Sequence, residues 1–288
     1  MNRSAAFTLL ALAGAALAAA CATNVATGKL QFTGMPRSQE IALGAQEGPK
    51  LTAAYGGEVP DQVLRDYVSQ IGFKVAAHVE KEYKDIPWKF TLLNSDVINA
   101  FALPGGQVFM SRALMERMTN EAQLAGVLGH EIGHVTAEHI DQRIGRDTAF
   151  QVGAAVGGVV AGADYGQMVS SVITQGGGLF SMKYGRDEES EADSLGIRYM
   201  VRAGYNPAGQ LQVMQILKEA SQGGGGGQPE WLSTHPAPQT RIDRIKEDLK
   251  GKYANTKDNP QFAFNEASFV PMVDRLKRLP PAPKPRAK

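Results

Sequence analysis

The sequence predicts an α+β fold that is predominantly helical and contains one small antiparallel sheet. Two observations lead to this fold class. Apolar residues recur every four positions over long stretches, as at Val63, Tyr67, Ile71 and Val75, which is the period of a helix packed on one face. Elsewhere residues 88–92 and 107–111 alternate apolar and polar residues, and an apolar run at 98–103 leads into the Pro-Gly-Gly turn at 104–106. Such alternation around paired glycines is typical of a β-hairpin.

The composition is that of a folded chain. Of the 288 residues, 43% are hydrophobic and 20% are charged, which excludes an intrinsically disordered protein. The 30 basic and 29 acidic residues nearly cancel, so the chain as a whole has no electrostatic footprint for nucleic acid. A single cysteine excludes a disulfide framework. We therefore expect no nucleic-acid partner, and the sequence assigns no oligomeric state.

Residues 1–20 have the pattern of a secretory signal peptide. Arg3 provides a short basic start, and the uncharged apolar stretch from Ala5 to Ala20 ends in small residues. This stretch is shorter than the ~20 residues that a membrane-spanning helix needs. We therefore expect it to be removed from the mature protein.

The only cysteine, Cys21, directly follows this segment, and the arrangement resembles a bacterial lipoprotein signal. Leu is usual three positions before the lipidated cysteine, whereas Ala18 stands there. Ala22 is not the Asp that resembles an inner-membrane retention signal. We expect lipidation of Cys21, outer-membrane lipid as its partner, a location in the bacterial periplasm, and a lipoprotein tether over residues 21–36. The alternative is an ordinary signal peptide cut beside an accidental cysteine.

The main domain is expected over residues 37–255. Asn120 is placed to cap the most apolar helix, with Gln123 completing a box-like pair. Pro207 suits the first turn of another helix. The expected helices span 38–51, 59–84, 120–143, 187–204, a segment from 207, and 236–249, and the expected strands span 88–92, 98–103 and 107–111.

Three further segments have distinctive compositions. The uncharged run 149–163 is rich in Gly and Ala, and we expect a buried or surface-docked helix rather than a membrane span. The glycine run 223–227 is expected to be a flexible loop. Residues 256–288 are expected to be a Pro-rich basic tail that is solvated, with contact to anionic lipid or a partner as the alternative.

The segment His130-Glu131-Ile132-Gly133-His134 has the H-E-x-x-H pattern of zinc peptidases and lies within a helical stretch. Four residues advance a helix by about 400°, so both imidazoles project from one face and suit a single zinc ion. Glu131 is offset to the same edge, where its carboxylate can take a proton from water as general base. The alternative is two histidines packed in a helical core.

A third ligand is expected from the acidic stretch 186–193. Glu189 and Asp193 are four residues apart on one helix face, so Glu189 can bind zinc while Asp193 accepts the N–H of a ligating histidine. Glu188 and Glu191 are expected to point into solvent. Three protein ligands leave the fourth position open, as a catalytic zinc site requires.

These motifs resemble the gluzincin metallopeptidases that include the CAAX prenyl endoproteases, the HtpX membrane proteases and the BepA-type quality-control proteases. The resemblance covers roughly residues 39–250 and implies a zincin-type domain with one Zn²⁺ per chain. The chain is most similar to the compact periplasmic members of lipoprotein type. The resemblance is carried by the segments Asn99 to Gly106, His130 to His134, Glu189 to Asp193, and Ser233-Thr234-His235-Pro236 with Arg241.

The resemblance also implies the substrate. Asn99, Ala100, Phe101 and Ala102 would form a sheet edge along which an extended peptide adds as a strand, and such binding is nearly independent of sequence. It suits hydrolysis of misfolded or unassembled envelope proteins, which would be the partners. An ordinary core strand would account for these apolar residues equally well.

His235 is expected to reach the active site, and two roles remain open for it. Its imidazole would either fill the fourth zinc position in the resting enzyme or donate a hydrogen bond to the oxyanion of the reacting peptide. Arg241 would assist in the second role. The alternative is a surface histidine that caps the following helix.

A different class of function is a zinc-stabilised chaperone or assembly lipoprotein for outer-membrane proteins. A structural zinc site has no need of Glu131 and closes its fourth position with a further Cys or His. The presence of Glu131 therefore favours an enzyme. A peptidoglycan-cleaving zinc enzyme would have a different ligand pattern.

Overall fold

The computed structural model describes residues 21–32, 35–146, 183–222, 229–236 and 239–283. Within these ranges helices predominate and two small sheets are present, which confirms the predicted helical α+β class. The expected signal peptide, the uncharged run 149–163, the glycine run 223–227 and residues 284–288 of the tail lie outside the described residues.

The elements follow the predicted order. The helices are α1 (Arg37–Ala54), α2 (Gln62–Ala76), α3 (Arg112–Met115), α4 (Glu121–Thr136), α5 (Arg186–Arg202), α6 (Ala208–Gln222), α7 (Glu230–Thr234), α8 (Gln239–Lys250) and α9 (Glu266–Lys277). The strands are β1 (Cys21–Thr23), β2 (Leu30–Phe32), β3 (Lys89–Leu93), β4 (Ala100–Leu103) and β5 (Gln107–Ser111). Residues 139–146 are also helical.

The main sheet has the strand order β3-β5-β4. Strands β4 and β5 form the predicted antiparallel hairpin, in which Gly105 and Gly106 take positive φ values of 74° and 88°. Strand β3, however, pairs parallel to β5, so the sheet is mixed rather than wholly antiparallel. The hairpin turns back so that β5 takes the middle position, which leaves β4 as an edge strand.

Successive side chains of the edge strand point to opposite faces of the sheet. Phe101 and Leu103 pack with Phe109 and with Tyr55, which directly follows α1, on one face. Ala100 and Ala102 join the main core on the other face, which contains α4. Every residue of α4 is buried, so this helix is the centre of the domain.

Both ends of the described chain are more structured than the expected boundaries. The segment expected as a tether contains the β1–β2 hairpin, and Asn24 of that hairpin donates to the Thr136 carbonyl at the end of α4 (2.9 Å). In the segment expected as a tail, α9 buries Phe269, Val273 and Leu276 in the core. The apolar period of α9 is what places it in the fold.

No helix in the described ranges combines the length and the apolar character required to cross a bilayer.

Candidate metal centre

Helix α4 presents the H-E-x-x-H side chains to the interior. Its start is fixed as predicted, because the Asn120 side chain accepts from the backbone N–H of Gln123 at 3.0 Å. The Nε2 atoms of His130 and His134, one turn apart on the helix, lie 3.1 Å from each other. Both imidazoles and the carboxylate of Glu131 are at most 2% exposed.

Four side chains converge on one point. Three of them, His130, His134 and Glu189, were predicted as ligands, and His235 was expected nearby in one of two roles. His130, His134, Glu189 and His235 each direct one ligand atom to this point, and these atoms all lie within 4.8 Å of one another. Glu189 Oε1 is 3.4 Å from His134 Nε2, and Glu189 Oε2 is 3.6 Å from His130 Nε2. His235 Nδ1 is 2.8 Å from Glu189 Oε1 and 3.3 Å from His130 Nε2.

This cluster fits a zinc ion. Zinc–nitrogen bonds of about 2.0–2.1 Å in a tetrahedron place neighbouring ligand atoms about 3.3 Å apart. The five separations given above, from 2.8 to 3.6 Å, lie around this value. Imidazole and carboxylate are also the ligand types that zinc takes in proteins. The Oε2 atom of Glu131 is buried and accepts no hydrogen bond from the described residues. Glu189 Oε2 is contacted by Arg241, so the fit to zinc rests on the donor set, in which three imidazoles and one carboxylate converge.

A second layer holds His130 and Glu189. As predicted, Asp193 Oδ1 accepts from His130 Nδ1 at 2.9 Å, and Asp193 also accepts from Gln210 at 3.0 Å. Arg241 donates a hydrogen bond of 2.7 Å to each oxygen of Asp193 and contacts the Glu189 carboxylate. The third nitrogen of Arg241 donates to the Pro236 carbonyl. Arg241 is thus directed at the carboxylates of Glu189 and Asp193, whereas the sequence analysis expected it to assist at the oxyanion.

These contacts explain the electrostatics of the site. Burial alone would raise the pKa of Asp193, but the charge and hydrogen bonds of Arg241 lower it to about 2. Burial would likewise raise the pKa of Glu189, yet neighbouring His235 and Arg241 hold it well below its usual range. Burial lowers the pKa of His134 well below its ordinary value. Charged carboxylates and a neutral His134 are the protonation states that metal binding requires.

His139 was not singled out from the sequence, yet it lies against the metal cluster. Its Nδ1 is 2.8 Å from Nδ1 of His134, and its Nε2 is 3.1 Å from Glu191 Oε2. Glu191 also pairs with Lys29 at 2.7 Å. The expectation that Glu188 and Glu191 are merely solvated was therefore wrong, since Glu188 also forms ion pairs with two arginines.

Trp231 is a second residue that sequence reasoning missed. It is fully buried, and its indole Nε1 donates to Glu131 Oε1 at 3.2 Å. Its ring stacks on His235 with 4.8 Å between centroids, and Tyr184 stacks on the other side at 4.9 Å. The Thr-His-Pro motif signalled His235, but nothing in the sequence signalled the aromatic pair that holds its ring.

The edge strand predicted to bind substrate packs against α4, the helix that carries His130 and His134. Asn99 bonds to β5 through its carbonyl, which accepts from Ser111 N at 2.9 Å. Because backbone direction alternates along an antiparallel pair, the amides of Ala100 and Ala102 are directed away from β5. The Ile98 carbonyl on the same side accepts from the backbone N–H of Trp231 at 3.2 Å.

A helix bearing H-E-x-x-H, a glutamate from a second helix and a buried carboxylate beside them define the chain as a zinc metallopeptidase. Residues 64–249 match the model of peptidase family M48, so the chain belongs to this zinc-dependent family.

The relatives of this chain are proteases of bacteria and mitochondria. It is 30% identical to the beta-barrel assembly-enhancing protease of Yersinia pestis over 240 residues, which cover 81% of this chain and 48% of the relative. The Escherichia coli K12 protease of that name is 31% identical over 194 residues, which cover 64% of this chain and 38% of the relative. The mitochondrial metalloendopeptidase OMA1 of Saccharomyces cerevisiae is 29% identical over 232 residues, 75% of this chain and 65% of the relative. The chain thus spans less than half the length of these two bacterial relatives.

Proposed function

We propose that this chain is a zinc-dependent endopeptidase that hydrolyses misfolded or unassembled proteins of the bacterial envelope. The observation that carries the enzymatic role is the carboxylate of Glu131, which is buried beside the four ligand atoms and keeps one oxygen without a hydrogen bond from the described residues. The substrate class is supported by the similarity to proteases whose name refers to β-barrel assembly.

We assign His130, His134 and Glu189 as the zinc ligands and Asp193 as the residue that orients His130. A zinc ion held by them would supply a Lewis acid that polarises the scissile carbonyl and makes water more acidic. Arg241 is a positioning residue in this proposal, because its contacts hold Glu189 and Asp193 in place.

Glu131 is assigned as the general base. Trp231 fixes one carboxylate oxygen by its indole hydrogen bond, so the other oxygen keeps a defined direction. That oxygen takes the proton of the attacking water and later passes it to the leaving amine. Proton transfer by a positioned side chain contributes typically 10²–10⁴ in rate.

His235 is assigned as a plug of the resting enzyme. Its Nδ1 lies beside His130 and Glu189, where it would take the fourth ligand position that a catalytic site otherwise leaves open. The rings of Trp231 and Tyr184 both stack on the His235 imidazole and stabilise its position. The oxyanion-donor role would require His235 to leave the ligand cluster.

The substrate would bind as an added strand along β4. The backbone groups of Ala100 and Ala102 face away from β5 and can pair with an extended peptide. Such pairing selects for unfolded backbone rather than for a side-chain sequence. This selectivity agrees with a role in removing envelope proteins that have failed to assemble.

Anchoring to the outer membrane through a lipidated Cys21 is part of the proposal. Cys21 begins β1, and the β1–β2 hairpin packs on the end of α4 through Asn24. A lipid on Cys21 would therefore hold the catalytic domain close to the membrane surface in the periplasm.

A second candidate function is a zinc-stabilised chaperone for outer-membrane proteins. The observation that favours it is the closed set of four ligands, since structural zinc sites have no open position. The two candidates differ in what removal of His235 should do. Opening the fourth position activates an enzyme and only weakens a structural site.

The function is tested with purified mature protein, unfolded casein as substrate and metal analysis of each variant. We expect one zinc per chain in the wild type and in Glu131→Gln, with hydrolysis lowered about 10²–10⁴-fold by the substitution. Glu189→Ala should lose zinc and activity together, whereas Glu188→Ala should lose neither. The comparison is repeated in the His235→Ala background, where the proposed plug is absent.

Undiminished cleavage by Glu131→Gln would overturn the assignment of the base. A wild type and a His235→Ala variant that bind zinc and suppress aggregation but never cleave would establish the chaperone instead. Envelope proteins retained by the inactive Glu131→Gln variant in cells, identified by mass spectrometry, would define the substrates.

A further inference from the structure

The two helical ligand histidines are supported in different ways. The Nδ1–H group of His130 donates a hydrogen bond to the carboxylate of Asp193. Arg241 neutralises the charge of that carboxylate. His134 instead faces another imidazole, that of His139, at 2.8 Å. Both rings of this second pair are at most 2% exposed, so water does not replace the contact.

Backbone geometry brings His139 to this place. Helix α4 ends at Thr136, and two residues later Glu138 takes a left-handed conformation with φ of 56°. A residue other than glycine rarely adopts this conformation. The Glu138 side chain is held there by hydrogen bonds from the Tyr83 hydroxyl and from Arg37. The reversal turns His139 back onto His134, with 4.9 Å between ring centroids.

His134, His139 and Glu191 form a hydrogen-bonded series from the metal cluster to Lys29. The metal cluster at one end and the carboxylate at the other determine which ring nitrogens carry protons. His134 directs Nε2 to the metal cluster, so its proton is on Nδ1 and is donated to His139 Nδ1. His139 then carries its own proton on Nε2, which donates to Glu191 Oε2 at 3.1 Å. The other oxygen of Glu191 pairs with Lys29 of the β1–β2 hairpin at 2.7 Å. His134 thus donates to His139, and His139 donates in turn to Glu191.

We propose that His139 and Glu191 are positioning residues of the metal centre that fix the tautomer and orientation of His134 and so raise its affinity for zinc. This inference rests on the proposed function in that His134 is a zinc ligand. Outer partners of this kind typically change metal affinity by 10–100-fold when they are removed. A neutral acceptor backed by a carboxylate orients His134 without placing a second full charge beside it.

The contacts of Glu191 agree with this role. Its Oε2 lies 3.1 Å from His139 Nε2, and its Oε1 pairs with Lys29 at 2.7 Å. Glu191 thereby stabilises the His139 tautomer that accepts from His134.

The test measures zinc affinity by competition with a chelator at fixed neutral pH. We expect His139→Leu, which keeps the volume but removes the acceptor, to weaken zinc binding about 10–100-fold. His139→Asn keeps an acceptor for His134 and should lose less. Glu191→Gln should fall between the wild type and His139→Leu. Glu188→Gln is the matched control, because Glu188 lies on the same helix in ion pairs that do not reach a metal ligand.

A second readout is the visible spectrum of the cobalt-substituted protein. It reports ligand geometry independently of hydrolysis and is expected to change in His139→Leu and not in Glu188→Gln. Circular dichroism and thermal unfolding of the metal-free proteins establish that each variant is folded. If His139→Leu is misfolded, Glu191→Gln decides the matter, since it changes one atom of a partly exposed side chain.

Wild-type zinc affinity and an unchanged cobalt spectrum in both His139→Leu and Glu191→Gln would overturn this inference and leave the zinc peptidase intact. Absence of stoichiometric zinc in the wild type itself would instead overturn the proposed function. Equal losses in Glu191→Gln and Glu188→Gln would also overturn the inference, because the effect would then be a general loss of surface charge.

Discussion

Gly129 of α4 and Gly196 of α5 face each other where the two helices cross. A Cβ atom placed on Gly196 would lie 2.7 Å from both the Gly129 carbonyl carbon and the His130 amide nitrogen. One turn further on, a Cβ on Gly133 would lie 2.7 Å from the Ala192 carbonyl oxygen. The two helices therefore touch backbone to backbone, and this contact sets how close His130 comes to Glu189 and Asp193.

Gly196→Ala is expected to force the helices apart and to damage the metal centre. Overpacking of this kind costs about 1–3 kcal/mol in free energy of unfolding. Zinc affinity should fall as well, because the ligands of α4 and α5 would separate. Urea unfolding and chelator competition measure the two effects. Gly185→Ala is the control, since its added Cβ would lie an ordinary 3.5 Å from Glu188. Wild-type zinc affinity in Gly196→Ala would show that the crossing does not set the ligand geometry.

His235→Ala is expected to raise basal hydrolysis of unfolded protein while one zinc per chain is kept. The reason is that three ligands remain and the fourth position opens. Initial rates and metal content are measured beside Ser233→Ala, a control at an exposed position of the same segment. A fall of about 10²–10³ in kcat would point instead to an oxyanion donor. Unchanged activity and unchanged zinc affinity would leave His235 with only its structural contacts.

Glu40 is expected to make stability decrease as pH rises. Burial and the neighbouring carboxylates of Glu138 and Asp141 raise its pKa from 4.5 to about 8, against a smaller opposing effect of Arg37. Between these two values the unfolded chain ionises the group while the folded chain keeps it protonated. The free energy of unfolding therefore falls across this range, by on the order of 5 kcal/mol, and the loss is complete above the folded pKa.

Glu40→Gln should remove this loss. Its stability relative to the wild type is expected to be unchanged near pH 4.5 and to grow towards pH 8, as measured by urea unfolding at a series of pH values. Glu47→Gln, on the same helix but in an ion pair with Lys50, is the control. A stability difference for Glu40→Gln that does not vary with pH would contradict the expectation.

Cys21→Ala is expected to release the protein from the membrane fraction into the soluble periplasm or to stall its processing. One acyl chain gives marginal binding, whereas the several chains of a lipoprotein hold firmly. Fractionation followed by immunoblotting measures the change, with Thr23→Ala as a control in the same strand. A Cys21→Ala protein that stays fully membrane-bound would rule out lipid anchoring at this residue.

Residues whose geometry depends on one helix were predictable. His130, Glu131 and His134 follow from a single helical turn, and so does the pairing of Glu189 with Asp193. In each case the helical period converts sequence spacing directly into a spatial relationship. The capping of α4 by Asn120 was predictable for the same reason.

Residues whose position depends on tertiary packing were not predictable. His139 lies beyond the end of α4, and its approach to His134 depends on the positive φ of Glu138, which no local pattern announces. Arg241 was expected near the substrate but lies behind Glu189, because the direction of its side chain depends on how α8 packs. The parallel pairing of β3 with β5 likewise depends on which strand takes the middle of the sheet.

Trp231 and His235 belong to one short segment that contacts both the Ile98 carbonyl and the ligand cluster. In the proposed function, an incoming chain that pairs along β4 would compete with the Trp231 amide for the Ile98 carbonyl. It would thereby displace the segment that holds His235 in the ligand cluster. Extended backbone spans about 3.3 Å per residue, so only a stretch of several unpaired residues reaches from Ile98 past Ala102. The enzyme is thus expected to discriminate by the length of unfolded chain, with short peptides as poor substrates and poor activators alike.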